Sequence, residues 1–143
     1  MKNVIVVSVD KHRYAIELRW IREIITLSYV TMTPGAPACI GGVFNLRGAI
    51  IPVLRIGALL DPSAEPQANP RMGDPAILLA VDSIVAALNV DSIEEVSSLE
   101  EKKDGNLADS QGRLVHPLDP VSLFQRAIEA SRAMRDYREV ERA

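Results

Sequence analysis

Few side chains in this sequence are of types that do chemistry, and none stands at the spacing chemistry needs. His12 and His116 are the two histidines. One lies in the polar run Asp10-Lys11-His12-Arg13 and the other beside Pro117, and neither has a second ligand at metal spacing. They read as surface or strand-end residues. Ser8, Ser28, Ser83 and Ser92 sit near acids, but no Gly-x-Ser-x-Gly elbow or partner base accompanies them. Cys39, the single cysteine, has no basic neighbour in sequence to favour a thiolate, so it reads as a small buried apolar side chain. Gly41-Gly42 and Gly48 are not followed by Gly-Lys-Ser/Thr, which makes them turn residues and not a phosphate cradle. Trp20 is either a cover for a core or an anchor for a partner. No acid, base and nucleophile can be assembled, and no catalytic, cofactor-binding or metal-binding residue is predicted.

The frame that holds these residues is bounded by length and composition. A chain of 143 residues makes one domain or two very small barrels that share a core. Hydrophobic residues are 48% and charged residues 24%, so a folded soluble chain is expected, and with aromatics at only 4% its core must be aliphatic. The net charge of -3, with both signs interleaved, lacks the basic footprint of a nucleic-acid binder, and no nucleic-acid partner is predicted. One cysteine excludes an internal disulfide and suits a reducing cytoplasm. The apolar run Val4 to Val7 is ended by Ser8 and Asp10, too short for a signal peptide or a span. A cytoplasmic protein with no direct membrane insertion is therefore expected.

The β-branched run Val4 to Val9 predicts a strand, the charged group 10–13 a turn, and Tyr14-Ala15-Ile16 a second strand. The stretch 16–25 suits one helical turn that leads into a strand running on to Thr31. Pro34-Gly35-Ala36-Pro37 forbids regular pairing. Two short strands meet at Gly48, where glycine takes a backbone angle that other residues avoid. Residues 61–75 carry prolines and no apolar pattern, which predicts a solvated connector. A buried hairpin follows over 76–81 and 84–90, with Ile93 to Leu99 able to extend its sheet. Residues 100–113 read as loops, 114–116 as a last strand with Pro117 at an edge or bulge, and 120 onward as a helix capped by Asp119. That helix carries an apolar stripe of Val121, Leu123, Phe124 and Ile128, for which docking on its own barrel is the favoured reading and partner binding the alternative.

The segment Ile40-Gly41-Gly42-Val43-Phe44-Asn45-Leu46-Arg47-Gly48-Ala49-Ile50-Ile51-Pro52-Val53 resembles the signature of the CheW-like domain family, a Gly-Val-x-Asn-Leu-Arg-Gly core followed by Ile-x-Pro-Val. Upstream, Ile21-Arg22-Glu23-Ile24-Ile25 resembles the family's Val-x-Glu-Ile-Ile stretch. Downstream, Val90-Asp91-Ser92-Ile93-Glu94-Glu95-Val96, and Gly112-Arg113-Leu114-Val115 with Leu118-Asp119, resemble its later strands. The resemblance spans about residues 4–126 and is stronger in the first half.

What the resemblance implies is an all-β fold: two small SH3-like or OB-like five-stranded β-barrels side by side, a core in each and a third between them, and a C-terminal α-helix. The whole chain, 1–143, would be one CheW-like domain. Residues 14–60 plus one added strand would form the first barrel, and 76–119 with the N-terminal strand the second. Residues 61–75 would connect them, and 120–142 would be the helix. It further implies a non-enzymatic scaffold without cofactors. Such a scaffold binds the regulatory domain of a CheA-like histidine kinase through the first barrel, and the cytoplasmic tip of a methyl-accepting chemoreceptor near Ile21, Glu23, Gly42, Val43 and Arg47. The family's structural ion pair corresponds to Glu23 and Arg47, and Leu18, Ile24, Val30, Asn45 and Gly48 complete the candidate binding set. A partly buried pair would fix two segments and the shape of a surface, whereas an exposed one would contribute little. Where the family continues Pro-Val-x-Asp-Leu-Arg, this chain has Pro52-Val53-Leu54-Arg55-Ile56-Gly57. Either the turn 56–60 is capped differently, or a partner contact there has changed sign. A divergent member serving motility or another signalling output is the nearer alternative, and a barrel that binds single-stranded nucleic acid the more distant one.

Overall fold

A computed structural model of the chain describes residues 3–61, 68–95 and 99–142, with the backbone alone at 95 and 134–142. The chain begins with the strands β1 (Val4–Val9) and β2 (His12–Glu17), then makes one 3-10 turn, Leu18–Trp20. Next come β3 (Ile21–Thr26), β4 (Val30–Thr31), β5 (Ile40–Leu46), β6 (Ala49–Leu54) and the short helix α1 (Ile56–Leu60). After residues 62–67, which lie outside the described residues, follow β7 (Pro75–Val81), β8 (Ile84–Asn89) and β9 (Ser92–Glu95). Last are β10 (Glu100–Glu101), β11 (Leu107–Ala108), β12 (Leu114–Pro117) and the helix α2 (Pro120–Arg142).

The strands form two six-stranded sheets, ordered β10-β11-β12-β2-β1-β9 and β3-β7-β8-β6-β5-β4. The architecture is all-β with a C-terminal helix. Each sheet has six strands where five were expected, and two-residue strands are among them: β10 and β11 in one, β4 in the other. Tight hairpins build both sheets. Asp10 and Lys11 join Val9 to its partner His12, and Arg47 and Gly48 join Leu46 to its partner Ala49. All four loop residues have positive φ (49°, 67°, 49° and 90°), the requirement of a type I′ turn whose twist matches its strands.

Both faces of the central strands are buried, so they read in the sequence as apolar runs without alternation. In β7, Ala76 and Leu78 enter the cluster inside their own sheet, with Phe44, Ile51 and Val53, while Ile77, Leu79 and Val81 face a larger cluster between the sheets. In β1, Val6 joins Leu107 and Val115 in the other sheet's own cluster, while Ile5, Val7 and Val9 face the shared one. Leu123, Phe124 and Ala127 of α2 and Ile56 and Leu59 of α1 complete that shared core. Asp119 caps α2 through its Oδ1, which accepts the Val121 N–H at 3.0 Å.

Strand allocation differs from the division expected from chain order. The second sheet is one continuous stretch, 21–89, and the first is assembled from both sides of it, β1 and β2 before and β9 to β12 after. The β7–β8 hairpin therefore lies with β3 and β6, not with the strands that follow it. Ile24, Ile25 and Thr26 of β3 register with Ile77, Ala76 and Pro75, and Val53 and Leu54 of β6 run parallel to Ala87 and Leu88. The physical reason is burial: a hairpin apolar on both faces fits only where one face meets its own sheet's cluster and the other meets the shared core.

The connector is also more ordered than its composition predicted over the described residues 68–75. Pro70 is buried, the Gly73 N–H donates to the Leu27 carbonyl at 2.9 Å, and the Leu27 N–H donates to the Asp74 carbonyl at 2.8 Å. The expected helical turn is Leu18–Trp20, and the strand expected to run on from it to Thr31 is interrupted at 27–29, where Leu27 turns into the core.

Candidate functional site

The Asn45-Leu46-Arg47-Gly48 segment is the reversal of the β5–β6 hairpin. Asn45 Oδ1 accepts the Gly48 N–H at 3.0 Å and ties the reversal. Ser28 Oγ donates to the Asn45 carbonyl at 3.3 Å, which joins the segment between β3 and β4 to the same turn. Arg47 takes the positive φ of the turn although it carries a Cβ. Its Nη2 donates to Glu23 Oε2 on β3 at 2.7 Å.

That contact spans a seam. In the hydrogen-bonded order β3 is one edge of its sheet and β4-β5 the other, so the ion pair joins opposite ends of one sheet. Arg47 is 67% and Glu23 33% exposed, so the pair is the solvated kind, and its hydrogen bond raises the Arg47 guanidinium above its usual range. A solvated pair contributes little to stability and is screened by salt. Of the two readings of the pair, the structure gives the exposed one, and β3 is held by its ladder to β7.

The other candidate residues divide by exposure. Leu18 on the 3-10 turn is 45% and Ile24 on β3 51% exposed, and Asn45 and Gly48 lie at the surface. Ile21 packs on the shared core and Val30 on the cluster inside the second sheet, while Val43 is half-buried between Thr31 and Pro52. Gly42 is buried. Its φ is +136°, and a Cβ there would lie 2.7 Å from the Thr31 carbonyl oxygen and 2.7 Å from Val30 Cγ1. It serves the surface by letting β4 close over β5. Ile50, 66% exposed and registered with Asn45, was missed as a surface residue. Strand alternation would have found it, because Ile51 and Val53 point inward and Ile50 must then point out.

Arg55 occupies the cap position of α1 without capping it. Its side chain is buried and its Nη2 donates to Asn69 Oδ1, so the connector takes up the cation. A Cβ on Gly41 would lie 2.6 Å from Pro70 Cγ and 3.0 Å from Arg55 Nε, which explains a glycine here. Of the two readings of this departure, a partner contact of changed sign does not fit, since the guanidinium does not reach the surface.

Trp20 is half-buried against the shared core and carries the Arg19 guanidinium 4.8 Å above its ring. His12 and His116 approach with ring centroids 6.3 Å apart, His116 lies 5.8 Å from the Tyr14 ring, and its Nδ1 is 3.3 Å from Asn106 Oδ1. Among the described residues no three His, Cys, Asp or Glu side chains gather as a metal site. Cys39 is buried, and burial pushes its thiol up, away from the reactive thiolate. Among the described residues no helix is long and apolar enough to cross a membrane.

Comparison with known proteins gives consistent matches. The family model of the CheW-like domain matches residues 3–126. The chemotaxis protein CheW of Rhizobium meliloti (strain 1021) is 30% identical over 101 residues, which cover 71% of this chain and 63% of that protein. The chemotaxis protein CheW of Thermotoga maritima is 29% identical over 120 residues, covering 78% and 80%. The chain thus spans less than two thirds of the Rhizobium meliloti relative's length. The crystal structure of scaffolding protein TtCheW from Thermoanaerobacter tengcongensis superposes with a TM-score of 0.66 over 85% of this chain and 91% of that one, at 22% identity, a likeness of fold.

Proposed function

Because the chain belongs to the CheW-like domain family, we propose that it is a non-enzymatic scaffold that couples a CheA-type histidine kinase to chemoreceptors in chemotaxis signalling. The kinase regulatory domain docks on the sheet formed by residues 21–89, and the receptor tip docks near Ile21, Glu23, Val43 and Arg47. The complex forms in the cytoplasm, at membrane-associated receptor arrays.

The observation that carries this reading is the Arg47–Glu23 contact at 2.7 Å, made across the seam of one sheet by a turn residue with positive φ. A surface pair of little energetic worth, set on a backbone that must tolerate an unfavourable angle, makes sense as a device for shape and recognition. Around it stand the exposed apolar side chains Leu18, Ile24 and Ile50, of the kind that partners cover.

Calorimetric titration of the chain with the regulatory domain of its cognate kinase tests the proposal. Binding in the micromolar range is expected, and no heat at about 50 μM of either protein would count against the reading. Arg47→Asn separates recognition from folding. Asn accepts positive φ readily, so the urea midpoint should hold while affinity for the cytoplasmic tip of the receptor, titrated in the same way, falls about tenfold. A loss of stability with unchanged affinity would make Arg47 purely structural.

A further inference from the structure

A second arginine, on an inner strand of the other sheet, joins two carboxylates from different parts of that sheet, and its own side chain is largely buried. In the order β10-β11-β12-β2-β1-β9 the edges are β9 and β10, and no backbone ladder among the described residues joins them. Arg13 stands on β2, in the interior of that order. Its Nη2 donates to Glu94 Oε2 on β9 at 2.7 Å, and its Nη1 donates to Asp109 Oδ2, directly after β11, also at 2.7 Å. One guanidinium thus holds both sides of the sheet.

The carboxylate it holds is fixed from every direction. Asp109 Oδ2 also accepts Arg113 Nε–H at 2.9 Å, and Oδ1 accepts the backbone N–H groups of Gln111 and Arg113, each at 2.9 Å. The Arg13 and Asp109 side chains are 14% and 5% exposed and Glu94 is 42% exposed, against 67% for Arg47 in the other sheet. Geometry of this kind requires arginine, whose planar fork offers two directed donor pairs, where an ammonium is a point charge. The strand it restrains needs restraint. β9 is four residues long and, among the described residues, pairs on one side, with β1, and an edge strand presents unpaired backbone groups that template association with other chains.

We propose that Arg13 is a clasp that closes this sheet, holding β9 against the β11–β12 turn and keeping the free edge of β9 from being offered to other copies of the chain. The clasp is independent of the docking surface around Arg47, so either can fail without the other.

Hydrogen exchange of the whole chain, read by mass spectrometry, tests it with Arg13→Met and Arg13→Lys. In Arg13→Met the β9 amides and those of 107–117 should exchange about tenfold faster or more, while those of 75–89 stay as in the parent. Gel filtration at rising concentration should show self-association of Arg13→Met and not of the parent, and Arg13→Lys, which can hold one carboxylate at a time, should fall between. Equal acceleration over both sheets, or unchanged exchange in β9, overturns the clasp. Should Arg13→Met not fold, Glu94→Gln leaves Asp109 and its donors in place and must loosen β9 by itself. Parent-like exchange in that variant overturns the proposal equally.

Discussion

Two glycines of the same motif should differ sharply in what a methyl group does to them. Gly48 and Gly42 both have positive φ, +90° and +136°. At Gly48 an added Cβ meets nothing within 4 Å, so Gly48→Ala costs only the backbone strain of an L-residue in that region, about 1–2 kcal/mol. At Gly42 the angle lies farther from the left-handed well, a strain of about 1–3 kcal/mol. The same Cβ presses at 2.7 Å on the Thr31 carbonyl oxygen, a backbone atom that no rotamer change can move, and overpacking of this kind adds about 1–3 kcal/mol. The sum, about 2–6 kcal/mol, is a large part of the total stability of a typical domain, about 5–15 kcal/mol.

Urea unfolding followed by the fluorescence of Trp20, the only tryptophan, reads both variants. With a slope of about 2 kcal/mol/M, Gly48→Ala should lower the midpoint by about 0.5–1 M and Gly42→Ala by about 1–3 M. Exchange at β4 should rise only in the latter. Equal midpoints for the two, or a larger loss at Gly48, would refute the argument that close approach of β4 is what requires glycine at position 42.

Three further outcomes are expected. Phe124→Ala, which empties a position 4% exposed in the shared core, should cost about 3–5 kcal/mol by urea titration, whereas a change below about 1 kcal/mol would mean that α2 is not docked there. Arg55→Met removes the cation that holds Asn69, so trypsin should cleave after Arg71 several-fold faster at unchanged enzyme, and parent-like cleavage would separate Arg55 from the connector. Asp109 is held well below the usual carboxylate range, chiefly by the Arg13 hydrogen bond, so its contribution is complete above the unfolded value of about 3.9 and is lost as pH falls toward the folded one. Asp109→Asn should therefore be much less stable than the parent at pH 7, with the gap narrowing below about pH 4. A gap that is constant with pH contradicts that assignment.

Local pattern carried much of this protein in plain view. A β-branched run set β1, apolar runs on either side of a turn set β7 and β8, turn chemistry placed the hairpin reversals, and Asp119 with Pro120 marked the start of α2, because such signals depend on neighbours a few residues apart. The Asn45–Gly48 motif, with its flanking glycines and prolines, likewise pointed to the family and to the pairing of Arg47 with Glu23. Tertiary structure decided which strands pair and where the interior cations go. Arg13 sat in what read as a polar turn, yet it reaches partners 81 and 96 residues away. Arg55 looked like a lost cap and proved to be an anchor for the connector. The β7–β8 hairpin belongs with strands before it because its two apolar faces need two different cores. Each of these choices follows from burial and charge pairing over long separations, where the chain entropy of closing one loop or another differs little and the fit of faces decides.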